Sequence, residues 1–173
     1  MTEADAEASK PGRQLVAFAV GLYGRPGVAD ACLLLQDGCG VNIPILLMAA
    51  WLAARGSRAT PSLLEGAGET VGDWHREVVE PLRIVRRRLK SGPAPAPGRS
   101  TDEIRDVVKK AELSAEIVEL TVLEEFALNQ AFEAGRPDPV EAISTVVDFY
   151  RVGARESAHD EAIRTIAAAI QAG

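Results

Sequence analysis

The chain has 173 residues, 47% of them hydrophobic, with a net charge of −6 and two cysteines. This apolar fraction can fill one core, which argues against disorder along the whole length, and the acidic balance lacks the broad positive field with which proteins bind nucleic acid. The longest apolar run, about a dozen residues from Ile43 to Ala54, is shorter than the roughly 20 residues of a membrane span, so no span is expected.

The charge is unevenly distributed along the chain. Residues 1–100 carry a net charge of +2, and residues 101–173 carry −8. The first ten residues, MTEADAEASK, are polar and acidic and lack the features of an export signal, so we expect a disordered acidic tail over 1–10. Two cysteines in a chain without such a signal indicate reduced thiols in the cytoplasm.

The N-terminal part predicts three helices, over residues 12–23, about 26–37 and 43–55. Gly38 and Gly40 are expected to end the second helix, because glycine readily adopts the left-handed conformation of a helix C-cap. Asn42 is expected to cap the third helix by accepting a hydrogen bond from its first turn. This third helix is apolar on every side, which predicts that the other helices enclose it.

The next segment predicts interrupted helices. Thr60 is followed by a proline, which is typical of a helix start, and three glycines between residues 66 and 72 are expected to split this helix before residue 73. Over residues 73–90 apolar side chains recur every three or four positions. Pro81 lies inside that pattern and predicts a tight bend or a new helix start.

A Pro-rich linker over 91–100 precedes the C-terminal part. Three helices are predicted after it, ending near residues 134, 152 and 172, with a Ser100–Glu103 capping box and an Asp138 cap at two of their starts. We therefore predict an all-α bundle of about six or seven helices with a central apolar helix. Its expected parts are the tail (1–10), an N-terminal helical core (11–90), the linker (91–100) and an acidic helical part packing on the core (101–173).

Three segments of the chain resemble a known family: YGRPGVADACLLLQDGCGVNIPILLMAAWLAARG, WHREVVEPLRIVRRRLK and AELSAE. They are similar to a family of small hypothetical proteins from proteobacteria, catalogued as a conserved domain of unknown function. The specific points are Leu-Gln-Asp at 35–37, Asn42, Trp51, Trp74 and Pro-Leu-Arg at 81–83, and the resemblance covers about residues 12–130. It implies a bacterial, cytoplasmic, helical protein and carries no activity with it.

Signatures of metal, cofactor and nucleophile chemistry are missing from the sequence. Cys32, Cys39, His75 and His159 lack the spacing of a zinc site, and we expect both thiols to be buried and inert. His75 and Glu77 form half of a zinc-deaminase signature whose second half is absent. We therefore predict no metal and no cofactor, and the balance favours a protein that is not an enzyme.

A strip of basic side chains lies in the predicted helix 73–90. Arg83, Arg87 and Lys90 share one face of it, and arginine binds carboxylate and phosphate groups bidentately. One interpretation is a binding surface for a partner. The alternatives are a solvated helix face or internal pairing with a row of glutamates that also share one helix face, namely Glu112, Glu116 and Glu119.

The turn at 36–42 is a second candidate binding site. Asp37 and Asn42 are able to line a pocket beside Gln36, but a role in helix capping explains these two residues equally well. The predicted binding residues are Gln36, Asp37, Asn42, His75, Arg83, Arg87 and Lys90. The leading hypothesis is a non-enzymatic protein-interaction or regulatory module that binds a protein partner or self-associates. The alternatives are a bundle that binds a small apolar ligand or lipid, and an enzyme, which requires Asp37, Asn42 and His75 to share one cleft.

Overall fold

The computed structural model describes residues 13–131, 135 and 137–172, and over these residues the chain forms eight α-helices and one π-helical turn, with no strand. The elements in chain order are α1 (Gln14–Tyr23), α2 (Val28–Cys39), α3 (Ile43–Ala54), α4 (Pro61–Trp74), the π turn (His75–Val79), α5 (Glu80–Ser91), α6 (Arg99–Leu128), α7 (Pro139–Tyr150) and α8 (Ser157–Gln171). Because α4, the π turn and α5 follow one another without a break, they form one continuous helix. The predicted all-α bundle of six or seven helices is confirmed, while the predicted tail over 1–10 lies outside the described residues.

Helix α3 is the centre of the bundle. Its residues Ile43 to Ala53 are all buried, and α1, α4, α6, α7 and α8 pack around it. A helix without a polar face exposes apolar surface to water unless its neighbours cover every side. The predicted cap is present as well, because the Asn42 side-chain oxygen accepts a 3.0 Å hydrogen bond from the N–H of Ile45. The prediction of a central apolar helix is confirmed.

The turn between α2 and α3 depends on only one of its two glycines. Gly40 ends α2 with a φ of +68°, a left-handed conformation that glycine adopts without steric cost. Gly38 lies inside α2, so the expectation that it stops the helix was wrong. A Cβ at Gly38 would lie 2.6 Å from Nε2 of His159 in α8. Gly38 therefore allows α2 and α8 to approach each other closely.

Helix α4 continues through its three glycines, so the predicted break before residue 73 is wrong. Thr60 caps its start by accepting a 3.2 Å hydrogen bond from the N–H of Leu63. Leu64, Ala67 and Val71 are buried on one side of the helix. The burial of these side chains offsets the cost of each glycine, which is roughly 1 kcal/mol in a helix interior.

The π turn explains how the continuous helix accommodates Pro81. In an α-helix the proline ring collides with the carbonyl four residues earlier, and proline has no N–H to donate. Here the N–H of Glu80 donates to the carbonyl of His75, and Pro81 lies in the first turn of α5, where a missing N–H costs nothing. A tight bend or a new helix start was predicted at this proline, and instead the helix continues through a π turn that ends just before α5.

Helix α6 begins and ends earlier than predicted. The carbonyl of Gly98 accepts hydrogen bonds from the N–H groups of Thr101 and Asp102, so the helix starts at Arg99 without a side-chain cap. The predicted Ser100–Glu103 capping box is therefore wrong. The helix ends at Leu128 instead of near residue 134.

Helices α5 and α6 form an antiparallel hairpin joined by residues 92–98, in which Arg83 contacts Glu112 and His75 contacts Glu119. Helix α5 packs on α6 and the π turn. Residues 80–114 are all described, and none of their apolar side chains is buried. The hairpin consequently extends beyond the apolar core of the bundle.

Helices α7 and α8 complete the bundle by packing on α3 and α2 respectively, and on each other. Asp138 caps α7 as predicted, through a 3.0 Å hydrogen bond from the N–H of Val140. Glu156 and His159 form a reciprocal capping box at the start of α8. Helix α6 contacts α1, α3 and α4 as well as α5. The division of the chain at the linker into two helical parts stays a prediction.

In the described part of the chain, no single helix combines the length and the apolar composition needed to cross a membrane. Helices α1 and α2 together meet the length and composition of a span, but the chain bends by 100° between them.

Candidate functional site

A row of glutamates on α6 faces the neighbouring helices. Glu112 is 5% exposed, and Glu116 is partly buried. Nε of Arg83 donates a 3.1 Å hydrogen bond to Glu112, and Nη2 of Arg83 donates a 2.7 Å hydrogen bond to Glu116. Arg86 donates two further hydrogen bonds to Glu112. Internal pairing, one of the alternatives considered from the sequence, therefore occurs for Arg83.

The pKa values of Glu112 and Glu116 shift in opposite directions. Burial raises the pKa of Glu112, but the hydrogen bonds from Arg86 and Arg83 outweigh burial, and the resulting pKa is lowered. Burial also raises the pKa of Glu116, and the single hydrogen bond from Arg83 does not compensate for it. Glu112 is thus the carboxylate whose ionised form is stabilised by its neighbours.

The predicted basic strip is divided into a buried and an exposed part. Arg83 is 9% exposed and bonded to α6. Arg87 is exposed and donates a 2.5 Å hydrogen bond to Asp37, in a pair of the kind that contributes about 0–1 kcal/mol. Arg88 and Lys90 are exposed and form no ion pair with any described residue. A partner approaching α5 from solvent meets these last cations, and not Arg83.

Glu119 is the centre of a buried polar cluster. Nδ2 of Asn42 donates a 2.7 Å hydrogen bond to Glu119 Oε1, and Nδ1 of His75 lies 3.1 Å from Oε2. The side chains of Glu119 and His75 are 0% and 14% exposed. Burial, together with the nearby charge of Glu119, raises the pKa of Tyr150 to about 12. The cluster brings Asn42 and His75, both predicted site residues, onto one carboxylate.

This cluster is suited to orienting an imidazole. A carboxylate beside Nδ1 holds the ring in one position and leaves Nε2 for proton exchange. Asp37, which the enzyme hypothesis placed in the same cleft, instead bonds to Arg87. Within the described residues no serine, threonine or cysteine side chain bonds to His75, so no pair of nucleophile and base is formed there.

The turn at 36–42 serves to end one helix and begin the next. The carbonyl of Gln36 accepts the N–H of Gly40 in the C-cap of α2. Burial raises the pKa of the Cys32 thiol to about 12 and also raises that of Cys39, which is opposite to the low pKa of reactive thiols. In the part of the chain that the structure describes, no three His, Cys, Asp or Glu side chains are placed to hold a metal ion.

An open groove of about 410 Å³ lies beside the start of α4. Glu65 and Glu69 line one part of it, and Phe126 and Gln130 of the chain around the end of α6 line another. Its mainly polar walls are unlike the enclosed apolar cavity that binding of a small apolar ligand requires.

The exposed side of the α5–α6 hairpin is a feature that the sequence analysis missed. Ile84 and Val107 are 65% and 66% exposed, and Ile104 is 54% exposed. Single exposed apolar residues are ordinary on protein surfaces, whereas this hairpin carries several of them. In the sequence these apolar residues look like further members of a buried helix face. The one signal that they are exposed is that the helices contain more apolar residues than a single buried face can hold.

Comparison with protein families places the chain as follows. The family model described as "Protein of unknown function (DUF2390)" matches residues 14–123. No curated protein and no solved structure matches the chain.

Proposed function

We propose that this chain, which belongs to the DUF2390 family, is a non-enzymatic protein-interaction module that binds an acidic protein partner through its hairpin tip, residues 87–110. The observation that carries the proposal is that the hairpin extends beyond the core with apolar side chains exposed beside cations that pair with no described residue. Ile84 and Val85, which lie on α5 just before the tip, are 65% and 46% exposed, and Arg88 of the tip follows them one turn later. A partner that covers these apolar side chains gains the free energy of their burial.

Charge supports an acidic partner. The tip carries seven basic and three acidic side chains, a net charge of +4, whereas the rest of the chain carries −10. A positive surface on a negative protein attracts acidic surfaces to that one place and disfavours basic ones. The overall charge of −6 argues against nucleic acid, since a long polyanion also meets the negative surroundings of the tip.

The use of the other polar side chains supports a non-enzymatic role. Arg83, Glu112 and Glu119 bond to other side chains of the same fold. Cys32 and Cys39 are buried and unbridged, which fits a reducing compartment, and we place the protein in the cytoplasm.

Charge reversal at the tip tests the proposal. Arg88→Glu combined with Lys90→Glu changes two exposed side chains that have no ion pair with a described residue, so the fold should be retained. Proteins captured by the immobilised wild-type chain are identified by mass spectrometry, purified and titrated calorimetrically against each variant. We expect the double variant to bind the purified acidic partner at least about tenfold more weakly than the wild type does. We also expect added salt to weaken binding of this partner to the wild type.

A matched control separates the tip from general charge attraction. Arg76→Glu combined with Arg164→Glu makes the same change in net charge at exposed positions outside the tip, and the ion pairs that Arg76 forms with Asp73 and Glu77 are exposed and contribute little. We expect this variant to alter the affinity less than about twofold. Equal weakening in both variants, or no weakening in the tip variant, would contradict the proposal.

A further inference from the structure

One exposed side of α6 has the spacing of a coiled-coil seam. Its residues recur at intervals of three and four and form what we name the α6 stripe: Ile104, Val107, Ala111, Ser114 and Val118. All five are exposed, with Val107 at 66% and Val118 at 45%. The carboxylates of Glu112 and Glu116 point from a different side of the helix toward Arg83 in α5. The stripe is therefore a helix face that α5 leaves uncovered.

We infer that a second copy of this chain packs on the α6 stripe, with the two α6 helices antiparallel and the two-fold axis beside Ala111. The two ends of the stripe are equidistant from this residue, because Ile104 and Val118 lie seven positions before and after it, while Val107 and Ser114 lie four before and three after. Antiparallel pairing places Ile104 of one copy opposite Val118 of the other, as a self-complementary interface requires. Alanine at the axis allows the helices to approach closely, and the contact extends for about 21 Å at 1.5 Å per residue.

The distribution of charge along α6 favours a second copy of the chain as the partner, with the two α6 helices antiparallel. Residues 99–110 of α6 carry four basic and three acidic side chains, whereas residues 111–128 carry five acidic and no basic ones. Parallel pairing places the two acidic halves side by side, which is repulsive. Antiparallel pairing places each acidic half beside the net-positive half of the other copy. It also brings the positive tip of each copy toward the negative body of its neighbour.

Molar mass in solution tests this inference. Light scattering on the full chain should give twice the 18.4 kDa of one copy at concentrations of about 10 µM to 1 mM. Ala111→Glu places two carboxylates together at the axis and should raise the dimer dissociation constant about 100-fold. Val20→Glu, at a 65% exposed apolar residue of α1, adds the same charge elsewhere and should leave the mass doubled. Circular dichroism verifies that both variants remain folded.

A crosslink decides the geometry even if Ala111→Glu fails to fold. In Ala111→Cys the two new thiols meet across the axis, and oxidised glutathione accepts their two electrons and two protons as the disulfide forms. We expect a covalent dimer on a non-reducing gel from Ala111→Cys and none from Val20→Cys. A chain that is monomeric throughout, or a dimer that neither Ala111→Glu dissociates nor Ala111→Cys crosslinks, overturns the inference. Ile104 and Val107 belong to both the stripe and the tip, so the two proposals are separated by variants outside this overlap. Ala111→Glu leaves Arg88 and Lys90 unchanged and is measured by molar mass, whereas Arg88→Glu with Lys90→Glu leaves the stripe unchanged and is measured by titration with the acidic partner.

Discussion

Asn42 donates a 2.7 Å hydrogen bond to Glu119, a residue 77 positions further along the chain. The oxygen of the same amide accepts the N–H of Ile45 and caps α3. An amide side chain has both a donor and an acceptor, so one residue caps the central helix and connects it to α6. Neither a carboxylate nor a hydrocarbon of similar size can perform both tasks.

Replacing this amide by a carboxylate should be costly. Asn42→Asp keeps a capping oxygen but removes the donor and places a second negative group beside Glu119, whose side chain is 0% exposed. We expect the free energy of unfolding, measured in urea at pH 7, to fall by about 3 kcal/mol. Thr60→Asp is the control, because Thr60 caps α4 and its substitution should change stability by less than about 0.5 kcal/mol. Similar losses at both caps would show that Glu119 is not the cause.

Glu112→Gln should also destabilise the fold strongly. The substitution removes the negative charge that accepts hydrogen bonds from Arg83 and Arg86. Arg83 keeps its hydrogen bond to Glu116, so the buried donors lose one charged partner and not both. We expect a loss of about 1–3 kcal/mol in urea unfolding at pH 7. Glu103→Gln, an exposed position on the same helix, should change stability by less than about 0.5 kcal/mol.

The stability lost in Glu112→Gln should depend on pH. The pKa of Glu112 is lowered in the folded state from its ordinary value of 4.5. A lowered pKa means that ionised Glu112 stabilises the fold above pH 4.5 and that this contribution is lost as the pH falls below that value. The stability difference between the wild type and Glu112→Gln should therefore shrink between pH 7 and about pH 3.5. A difference that stays constant over this range would show that charge is not what Glu112 contributes.

Two glycines in helices should respond to the same substitution with opposite signs. Gly38→Ala brings a Cβ to 2.6 Å from the buried His159 ring, and the resulting overpacking should cost about 1–3 kcal/mol. Gly68→Ala meets no atom within 4 Å and should stabilise α4 by about 0.5–1 kcal/mol through helix propensity. Thermal and urea unfolding measure both changes. Stabilisation by Gly38→Ala would contradict the close contact between α2 and α8.

The two native thiols should be unreactive in the folded protein. Cys32 is 0% exposed with a pKa of about 12, and burial also raises the pKa of Cys39. A small thiolate fraction and closed access should slow reaction with Ellman's reagent at pH 8 at least about 100-fold relative to the protein in urea. Fast modification of either thiol without unfolding would indicate an open site at the α2–α3 turn.

Helix ends were predicted well where their signals are local. Asn42, Thr60 and Asp138 each accept a hydrogen bond from an N–H two or three residues later, and Gly40 adopts the left-handed conformation at its own position. The central location of α3 followed from its lack of any polar side chain. Predictions failed where packing reversed a local preference, as in α4, whose buried face outweighs its glycines.

The sequence by itself determined the all-helical class, most caps and the buried central helix, because these depend on side chains within one or two turns of each other. Only the tertiary structure decided that Gly38 faces His159, that Arg83 is bonded to Glu112, and that Asn42 and His75 meet on Glu119. It also decided which apolar side of α6 stays in solvent. These contacts join residues 29 to 121 positions apart, and helical periodicity specifies which residues share a face without specifying which other helix that face meets.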